Sequence, residues 1–413
     1  MSLFKTLNIG MTGMNATGAA MSIVSDNIAN VNTTGFKASR ARFQDLMAST
    51  TLGIGDGVKL GGAQQQFKQG SLEMTGNSLD LAIGGSGFMM VKGSVNGNTE
   101  SFLTRNGSFM VDNEGFISTP GGLRLQGFAA DANGNIASNT PGDLMVGDVT
   151  SPPKATSSID LRVNLDASDE INTFDPANPG DTSNHTTSVT LYDNLGNAID
   201  AGVHYVKTAD NTWEYHVMVD GDDVAGGTPG EAQVIGTGSM SFDENGALTD
   251  ATAADISFTP AGAGSAQSFS LSLEGTTQFA SASSNEFIQQ DGYAAGELRG
   301  LDIGDDGMIN GVFSNGETLS LGQVAIADVD SPEGLEGIGG NMWRATAASG
   351  QALIGEAGVG GRGALISGAI EGSNVDLTHE FVKMIALQRG FQASSRTIST
   401  GDQMLTEVIS LKR

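Results

Sequence analysis

The sequence LFKTLNIGMTGMNATGAAMSIVSDNIANV, residues 3–31, places apolar side chains at intervals of seven, with others three or four residues away. Residues 377–408 repeat this spacing near the other end of the chain. Such spacing predicts an amphipathic helix with a coiled-coil-like seam. The predicted seam residues are Leu3, Leu7, Met14, Met21, Val24 and Ile28 in the first helix, and Leu377, Met384, Leu387, Phe391, Ile398, Leu405 and Val408 in the second.

Glycine interrupts both predicted helices. Gly10, Gly13 and Gly18 fall inside the first helix, and Gly390 and Gly401 inside the second. Each glycine costs a helix interior about 1 kcal/mol relative to alanine, so neither helix is expected to be stable alone in water. We therefore predict that the two ends become ordered by packing against each other or against other copies of the chain. An ordinary pair of helices flanking a globular core stays open as the alternative.

Composition and charge exclude several classes of protein. The chain has 413 residues, of which 47 are acidic and 20 basic, and its net charge of −27 argues against a nucleic acid partner. It contains no cysteine, which excludes disulfides and thiolate metal sites. We find no run of 18 apolar residues and expect no membrane insertion. Because the apolar residues near the N-terminus are periodic instead of continuous, we expect any export to proceed without a cleaved signal peptide.

Short strand patterns fill the sequence between the two ends. Residues 38–70 are rich in glycine and glutamine and predict a tether without a core of its own. Residues 71–150 and 285–365 contain short alternating runs separated by turn sequences, which are typical of an all-β domain. We assign 1–37 with 366–413 to a discontinuous helical polymerisation domain, and 71–150 with 285–365 to a discontinuous inner β domain.

Residues 151–284 form a predicted acidic outer β domain. They hold 19 of the 47 acidic residues but only 3 of the 20 basic ones, so we expect them to lie outermost in an assembly, where water and salt screen like charges. Alternating Trp213, Tyr215, Val217 and Val219 predict a half-buried strand. The sequence thus predicts a mainly β protein with α-helical termini. Paired N- and C-terminal coiled-coil-like helices would accompany two nested β-sandwich or barrel domains.

Motifs for catalysis or metal binding are weak throughout the sequence. Gly358–Gly363 fits G-x-G-x-x-G but lacks the surrounding β-α-β unit that a dinucleotide site needs. The Asp302 and Asp306 region lacks the glutamate that ends a calcium loop. His204 and His216 could face each other across a hairpin and chelate a metal, although two solvated strand residues are the favoured interpretation. We predict no enzyme activity, no catalytic residue, no cofactor and no metal site.

Four stretches resemble the bacterial flagellar rod and hook family. They are ANVNTTGFK at 29–37, SLEMTGNSLDLAIGGSGF at 71–88, FLTRNGSFMVD at 102–112 and SNVDLTHEFVKMIALQRGFQ at 373–392. The insertion at 151–284, with FSNG at 313–316 and LGQ at 321–323, favours the hook branch over the rod branch. The residues that carry the family signature are Ala29, Asn30, Asn32, Thr33, Gly35, Phe36, Lys37, Ser373, Asn374 and Asp376.

The resemblance implies a structural role in the flagellum. Family members of the hook branch polymerise into a curved, flexible tube that passes torque from the rod to the filament, outside the cell. The implied partners are other copies of the chain, the distal rod protein, the hook cap, the hook–filament junction protein and the flagellar type III export apparatus. A distal rod subunit of the same family remains an alternative. A secreted β-rich adhesin, in which residues 151–284 bind a surface ligand, is the alternative from a different class.

Overall fold

The chain divides into two compact units in a computed structural model that describes residues 3–47, 55–95, 97–131, 134–136, 140–252 and 255–410. Unit 1 comprises the chain up to Asp148, Gly300–Val312 and the chain from Thr318 onward. Unit 2 comprises Val149–Arg299 and Phe313–Glu317. Unit 1 is therefore discontinuous in sequence and needs residues from both ends of the chain.

The described residues contain three α-helices and thirty strands. In the N-terminal part of unit 1 they are α1 Leu3–Ala29, β1 Ser39–Asp45, β2 Val58–Gln65, β3 Leu72–Met74, β4 Leu81–Gly84, β5 Phe88–Val95, β6 Asn98–Thr104, β7 Met110–Val111, β8 Ile117–Ser118, β9 Arg124–Ala129 and β10 Gly142–Asp143. Then follow β11 Thr150–Ser151, β12 Ser158–Asp166, α2 Pro179–Thr182, β13 His185–Tyr192, β14 Ala198–Ala209, β15 Thr212–Asp220, β16 Ala232–Phe242, β17 Leu248–Ala251, β18 Asp255–Phe258, β19 Gln267–Ser272, β20 Thr277–Phe279, β21 Ser284–Gln290 and β22 Gly296–Ile303. The last group is β23 Met308–Phe313, β24 Thr318–Val324, β25 Ile326–Asp328, β26 Glu336–Gly339, β27 Met342–Arg344, β28 Leu353–Gly355, β29 Ala364–Ser367, β30 Ala369–Glu371 and α3 Leu377–Ser410.

Unit 1 contains two long helices and a sheet whose strands come from both halves of the sequence. The sheet order includes β23-β24-β9-β5-β6-β27-β26, so three N-terminal strands lie between two pairs of C-terminal strands. Phe88 on β5, Leu103 on β6 and Trp343 on β27 are buried together in its core. The ring of Phe67 packs edge-on against both Phe88 and Trp343. The sheet cannot be completed until the C-terminal strands are present.

Unit 2 is built from two sheets that share one hydrophobic core. One sheet is antiparallel in the order β13-β14-β15-β16-β17, and the other has the order β18-β19-β12-β20, with β21 also paired to β12. Along β15, Trp213, Tyr215, Val217 and Val219 are all buried in the core, as their alternation predicts. Trp213 Nε1 donates to Gln278 Oε1 at 2.8 Å, which satisfies the one polar group that this indole buries.

The segment predicted as a tether contains regular structure instead. β1 and β2 pair as an antiparallel hairpin in which Ser39 lies opposite Gln65 and Asp45 opposite Val58, while residues 48–54 lie outside the described chain. The hairpin packs on α1, where the Val58 amide donates to Thr12 Oγ1 at 3.4 Å. The composition of this segment misled the prediction because a hairpin that uses a neighbouring helix as its support needs few apolar residues of its own.

A buried carboxylate fixes the end of α1 relative to the start of α3. The side chain of Glu371 is fully buried, six residues before α3 begins. Its Oε1 accepts hydrogen bonds from Lys37 Nζ at 2.6 Å and from the Gly70 amide at 2.8 Å. Its Oε2 accepts from Arg105 Nη1 at 3.1 Å. One acidic side chain thus joins four segments that are far apart in sequence.

The two cations at this cluster also depend on the carboxylate. Burial lowers the pKa of Lys37 and of Arg105, and the neighbouring Glu371 carboxylate opposes both shifts. Arg105 Nη2 also donates to the Gly85 carbonyl at 2.7 Å, and Lys37 Nζ to the Lys68 carbonyl at 2.9 Å. Removing one member of a buried ion cluster leaves uncompensated charge in the interior, which typically costs about 3–5 kcal/mol.

We predict that Glu371→Gln lowers the free energy of unfolding of unit 1 by about 3–5 kcal/mol, because two buried cations lose their counter-ion. Urea unfolding measures this change, with Trp343 fluorescence as the reporter in a Trp213→Phe background. Glu336→Gln is the matched control, because the Glu336 carboxylate is 55% exposed and pairs with Arg344 at 2.9 Å. Its expected effect is below about 1 kcal/mol. Equal effects of the two variants would contradict the role assigned to Glu371.

Candidate functional site: the paired terminal helices

The helices α1 and α3 lie against each other in antiparallel directions. A Cβ atom added at Gly10 would be 2.8 Å from Ile398 Cγ1, and one added at Gly401 would be 2.8 Å from Leu7 Cδ2. Toward the other end, a Cβ atom at Gly390 would be 3.5 Å from Thr17 Cγ2. Residue numbers rise along one helix as they fall along the other. Glycine at these positions allows the two backbones to approach closely.

Small residues, more than large heptad residues, are buried on α1. The fully buried positions after Gly10 are Ala16, Ala20, Val24 and Asn27. A Cβ atom at Gly13 would lie 2.9 Å from Ser394 Oγ, so a small side chain also faces the seam from α3. Ala20 and Asn27 each immediately precede a predicted seam residue, Met21 and Ile28, so the buried face is rotated around α1 relative to much of the predicted apolar stripe.

The predicted seam residues have different environments. Leu7 and Ile398 contact the partner helix, and Phe391 lies 4.0 Å from a Cβ atom added at Gly18. Val24 is buried, whereas Leu377 and Val408 are exposed and Phe391 is 38% exposed. The remaining positions are half-buried, namely Met14, Met21, Ile28, Met384, Leu387 and Leu405, and the side chain of Leu3 lies outside those described. Their part in polymerisation remains a prediction.

A polar anchor closes the seam where α1 ends. Asn27 Nδ2 donates to Glu380 Oε2 at 3.1 Å and to the Ser39 carbonyl at 2.8 Å, and its Oδ1 accepts from the Ser39 amide at 2.8 Å. Glu380 is buried, and its Oε1 accepts from Lys383 Nζ at 2.6 Å. A single asparagine therefore joins both helices to β1. A polar side chain within an apolar stripe is a known device for fixing helix register.

Several signature residues hold the backbone around the helix ends. Gly35 adopts φ of 69°, its amide donates to the Glu371 carbonyl at 2.7 Å, and an added Cβ atom would lie 2.6 Å from the Asn106 nitrogen. Asn374 Oδ1 accepts from the Ala38 amide at 2.7 Å, while its Nδ2 donates to the Gln66 carbonyl at 2.7 Å. The positive φ and the close approach to Asn106 require glycine at position 35. The two opposite hydrogen-bonding roles of Asn374 require a side-chain amide.

The other signature residues serve local roles or face outward. Asp376 Oδ1 accepts from the His379 amide at 3.1 Å and caps α3, and Thr33 Oγ1 donates to Asn30 Oδ1 at 3.1 Å. Ser373 Oγ accepts from the Val375 amide at 3.3 Å. Ala29 and Asn32 are exposed, Phe36 is half-buried, and Lys37 belongs to the Glu371 cluster.

Residues important to this site escaped the sequence analysis. Arg105, Glu371 and Glu380 are charged residues whose neighbours in sequence do not signal burial. Asn27 does leave a signal, because it is a polar residue between the apolar Val24 and Ile28 of the predicted stripe. Such a position could have been recognised as a buried register determinant.

The helix pair leaves much of its own apolar surface exposed. The side chains of Phe381, Val382 and Ile385 are 49%, 61% and 52% exposed. Other exposed apolar side chains on the two helices are Phe4, Met11, Met404, Val408 and Ile409. A groove of about 240 Å³ between α1, α3 and β1 is lined mainly by Ala20, Val24, Phe43, Ala386 and Leu387. Exposed apolar surface of this kind marks an interaction site.

No group of three or more histidine, aspartate or glutamate side chains among the described residues is arranged to hold a metal ion. None of the helices in this part of the chain is long and apolar enough to cross a membrane. What the geometry offers is a helix surface suited to protein contacts.

Four family models match consecutive parts of the chain. They are the flagella basal body rod protein at residues 7–37 and the flagellar hook protein FlgE/F/G D1 domain at 82–164. The flagellar basal body protein FlaE D2 domain matches 163–293, and the flagellar basal body rod FlgEFG protein C-terminal region matches 366–411. The matches include α1, most of unit 2 and α3.

Similar proteins align with the chain over almost its whole length. The flagellar hook protein FlgE of Escherichia coli is 36% identical over 97% of this chain and 98% of its own. That of Borreliella burgdorferi is 33% identical over 99% and 100%, and that of Brucella suis is 32% identical over the full length of both chains. With this identity across both units and both terminal helices, the chain belongs to the flagellar hook protein family.

Proposed function

We propose that this chain is a structural subunit of the bacterial flagellar hook and has no catalytic role. Many copies would assemble into a curved, flexible tube that acts as a universal joint and transmits torque from the rod to the filament. The observation that carries the proposal is the exposed apolar face of the terminal helix pair in a chain of this family.

The energetics favour burial of this face between copies. Removing one large apolar side chain from water stabilises a complex by about 1.5–3 kcal/mol. Burial of Phe381, Val382 and Ile385 against another copy would therefore contribute several kcal/mol to assembly. All three are available for such a contact because the rest of their own chain leaves about half of each side chain exposed. The net charge of −27 keeps separate copies soluble and opposes association through other surfaces.

We assign separate tasks to the proposed domains. The helices of 1–37 and 366–413 would pair in a coiled-coil-like manner, line the central channel and carry continuity between copies. The inner β domain, 71–150 with 285–365, and the nested acidic outer β domain, 151–284, would lie progressively outward. The hairpin within 38–70 would move with respect to its neighbours as protofilaments shorten and lengthen during rotation.

Partners and location follow from the same role. We propose that the chain is exported by the flagellar type III apparatus without a cleaved signal peptide and is added beneath the hook cap, outside the cell. The distal rod protein would contact the first copies, and the hook–filament junction protein the last. Nucleic acid, membrane and cofactor have no part in this proposal.

We predict that the double variant Phe381→Ser/Ile385→Ser polymerises poorly while folding as the parent does. Losing about 3 kcal/mol of apolar burial raises the concentration needed for tube formation about a hundredfold. Sedimentation and electron microscopy of the purified chain measure the change.

Leu353→Ser is the control for this double variant, because Leu353 is another exposed apolar residue of unit 1 and lies on β28, which pairs with β25. We expect the Leu353 variant to form tubes like the parent chain. Tube formation by the double variant at the parental concentration would contradict the assignment of the α3 face to assembly.

We also predict that Gly13→Leu prevents hook assembly by forcing the two helices apart at Ser394. Gly18→Ala is the matched control, because a Cβ atom there meets only Phe391, at 4.0 Å. Alanine at that position also favours the helix by about 1 kcal/mol. Swimming motility and electron microscopy of hooks, in cells that express only the variant, provide the measurement. Normal hooks from Gly13→Leu would show that close helix packing is dispensable.

A further inference from the structure

Two histidines lie together on the face of the β13-β14-β15-β16-β17 sheet that is turned away from the core of unit 2. His204 on β14 pairs directly with His216 on β15. Their neighbours Tyr205 and Tyr215 point into the core, so the imidazoles lie on the opposite face. The ring of Phe174 stacks on His216 with a centroid distance of 3.9 Å and an interplanar angle of 4°, and lies 6.1 Å from the His204 ring.

Phe174 belongs to a strap, residues 167–184, which connects β12 to β13. Lys207 ties the first part of the strap, because its Nζ donates to the carbonyls of Ala167 at 2.6 Å and Asp169 at 3.0 Å. The Asn172 amide donates to the Lys207 carbonyl at 2.9 Å. At the far end, the Asn184 amide donates to the Tyr205 carbonyl at 2.9 Å. Between these ties, the aromatic stack on the histidine pair holds the strap against the sheet.

The surroundings of the two imidazoles suit their neutral forms. His204 Nδ1 lies 3.1 Å from Thr186 Oγ1 and 3.4 Å from Ser183 Oγ, and both hydroxyls are uncharged. His216 Nε2 is buried without a hydrogen-bond partner. The nearest carboxylate is that of Glu214, 3.7 Å from His216 Nε2 and largely exposed on the same strand. On β16, the residue opposite His216 is the uncharged Thr237.

We propose that the strap is an acid-sensitive cover, which lies closed over neutral His204 and His216 and opens when both imidazoles are protonated. Two positive charges on adjacent strands repel each other, and the exposed carboxylate of Glu214 compensates only part of that charge. Opening would release Phe174 and give water access to both rings. Unit 2 would thereby change its surface with pH while its core stayed folded.

The direction of the pH dependence follows from the titration of the two rings. Burial lowers the pKa of His204, and the nearby His216 lowers it further. Burial also lowers the pKa of His216, although the Glu214 carboxylate opposes this shift. An opened strap returns both rings to water, where the pKa of histidine is about 6.5. The closed state is therefore fully stable above about pH 6.5 and loses stability as the pH falls below it. The imidazole of His185 on β13 and the carboxylate of the strap residue Asp169 are also nearby. The His185→Gln variant distinguishes an effect of His185 from one of His204 and His216.

Hydrogen exchange of the full chain tests the proposal, with rates corrected for the intrinsic effect of pH. We expect protection within residues 168–183 to fall about tenfold between pH 7.5 and pH 5.0, while that of β12 stays constant. In His204→Gln/His216→Gln, the fall should be less than about twofold. His185→Gln is the matched control and should retain the parental fall. An unchanged parent, or a double variant with the parental fall, would overturn the proposal.

A second variant keeps the test informative if the double variant does not fold. Phe174→Ala retains both histidines but removes the ring that rests on them. We expect its strap to exchange about tenfold faster than in the parent already at pH 7.5, with little further change at pH 5.0. Parental protection at pH 7.5 in this variant would show that the stack does not hold the strap, and would also overturn the proposal.

Discussion

The buried carboxylate of Glu371 is the interaction on which the rest of unit 1 depends. It accepts hydrogen bonds from Lys37, Gly70 and Arg105, and so joins the segment after α1 to the sheet and to the segment before α3. Because α1 ends and α3 begins close to this cluster, the two helices extend from it in antiparallel directions. The desolvation of three charged groups is costly, and it is tolerated because the Glu371 carboxylate pairs with both cations.

The helix pair combines a tight inner seam with an uncovered outer face. Gly10, Gly13 and Gly401 bring the backbones close, and Asn27 with Glu380 sets the register at one end. Most of the large side chains are then left partly exposed on the outside of the pair. Such a chain folds around its polar anchors and leaves apolar helix surface uncovered, and this is the surface that we propose for contacts between copies in the hook.

Sequence patterns predicted some of these features and missed others for identifiable reasons. Both helices and the buried alternation from Trp213 to Val219 follow from periodicity, because it reports directly on which face is covered. Periodicity could not reveal that the seam uses Ala16 and Ala20, since small residues contribute little to an apolar stripe. The β1–β2 hairpin escaped because α1 supports it, and Glu371 and Arg105 escaped because burial of a charge depends on residues hundreds of positions away.

The helices at the two ends of one chain pair with each other in antiparallel directions. An engineered disulfide between α1 and α3 tests this pairing most directly. The chain has no cysteine, so Thr17→Cys/Gly390→Cys introduces a single possible pair at positions where an added Cβ lies 3.5 Å from the opposing side chain. Under oxidising conditions we predict an intrachain disulfide, seen as a monomer with altered mobility on a non-reducing gel. Free thiols, or disulfides only between chains, would contradict the account.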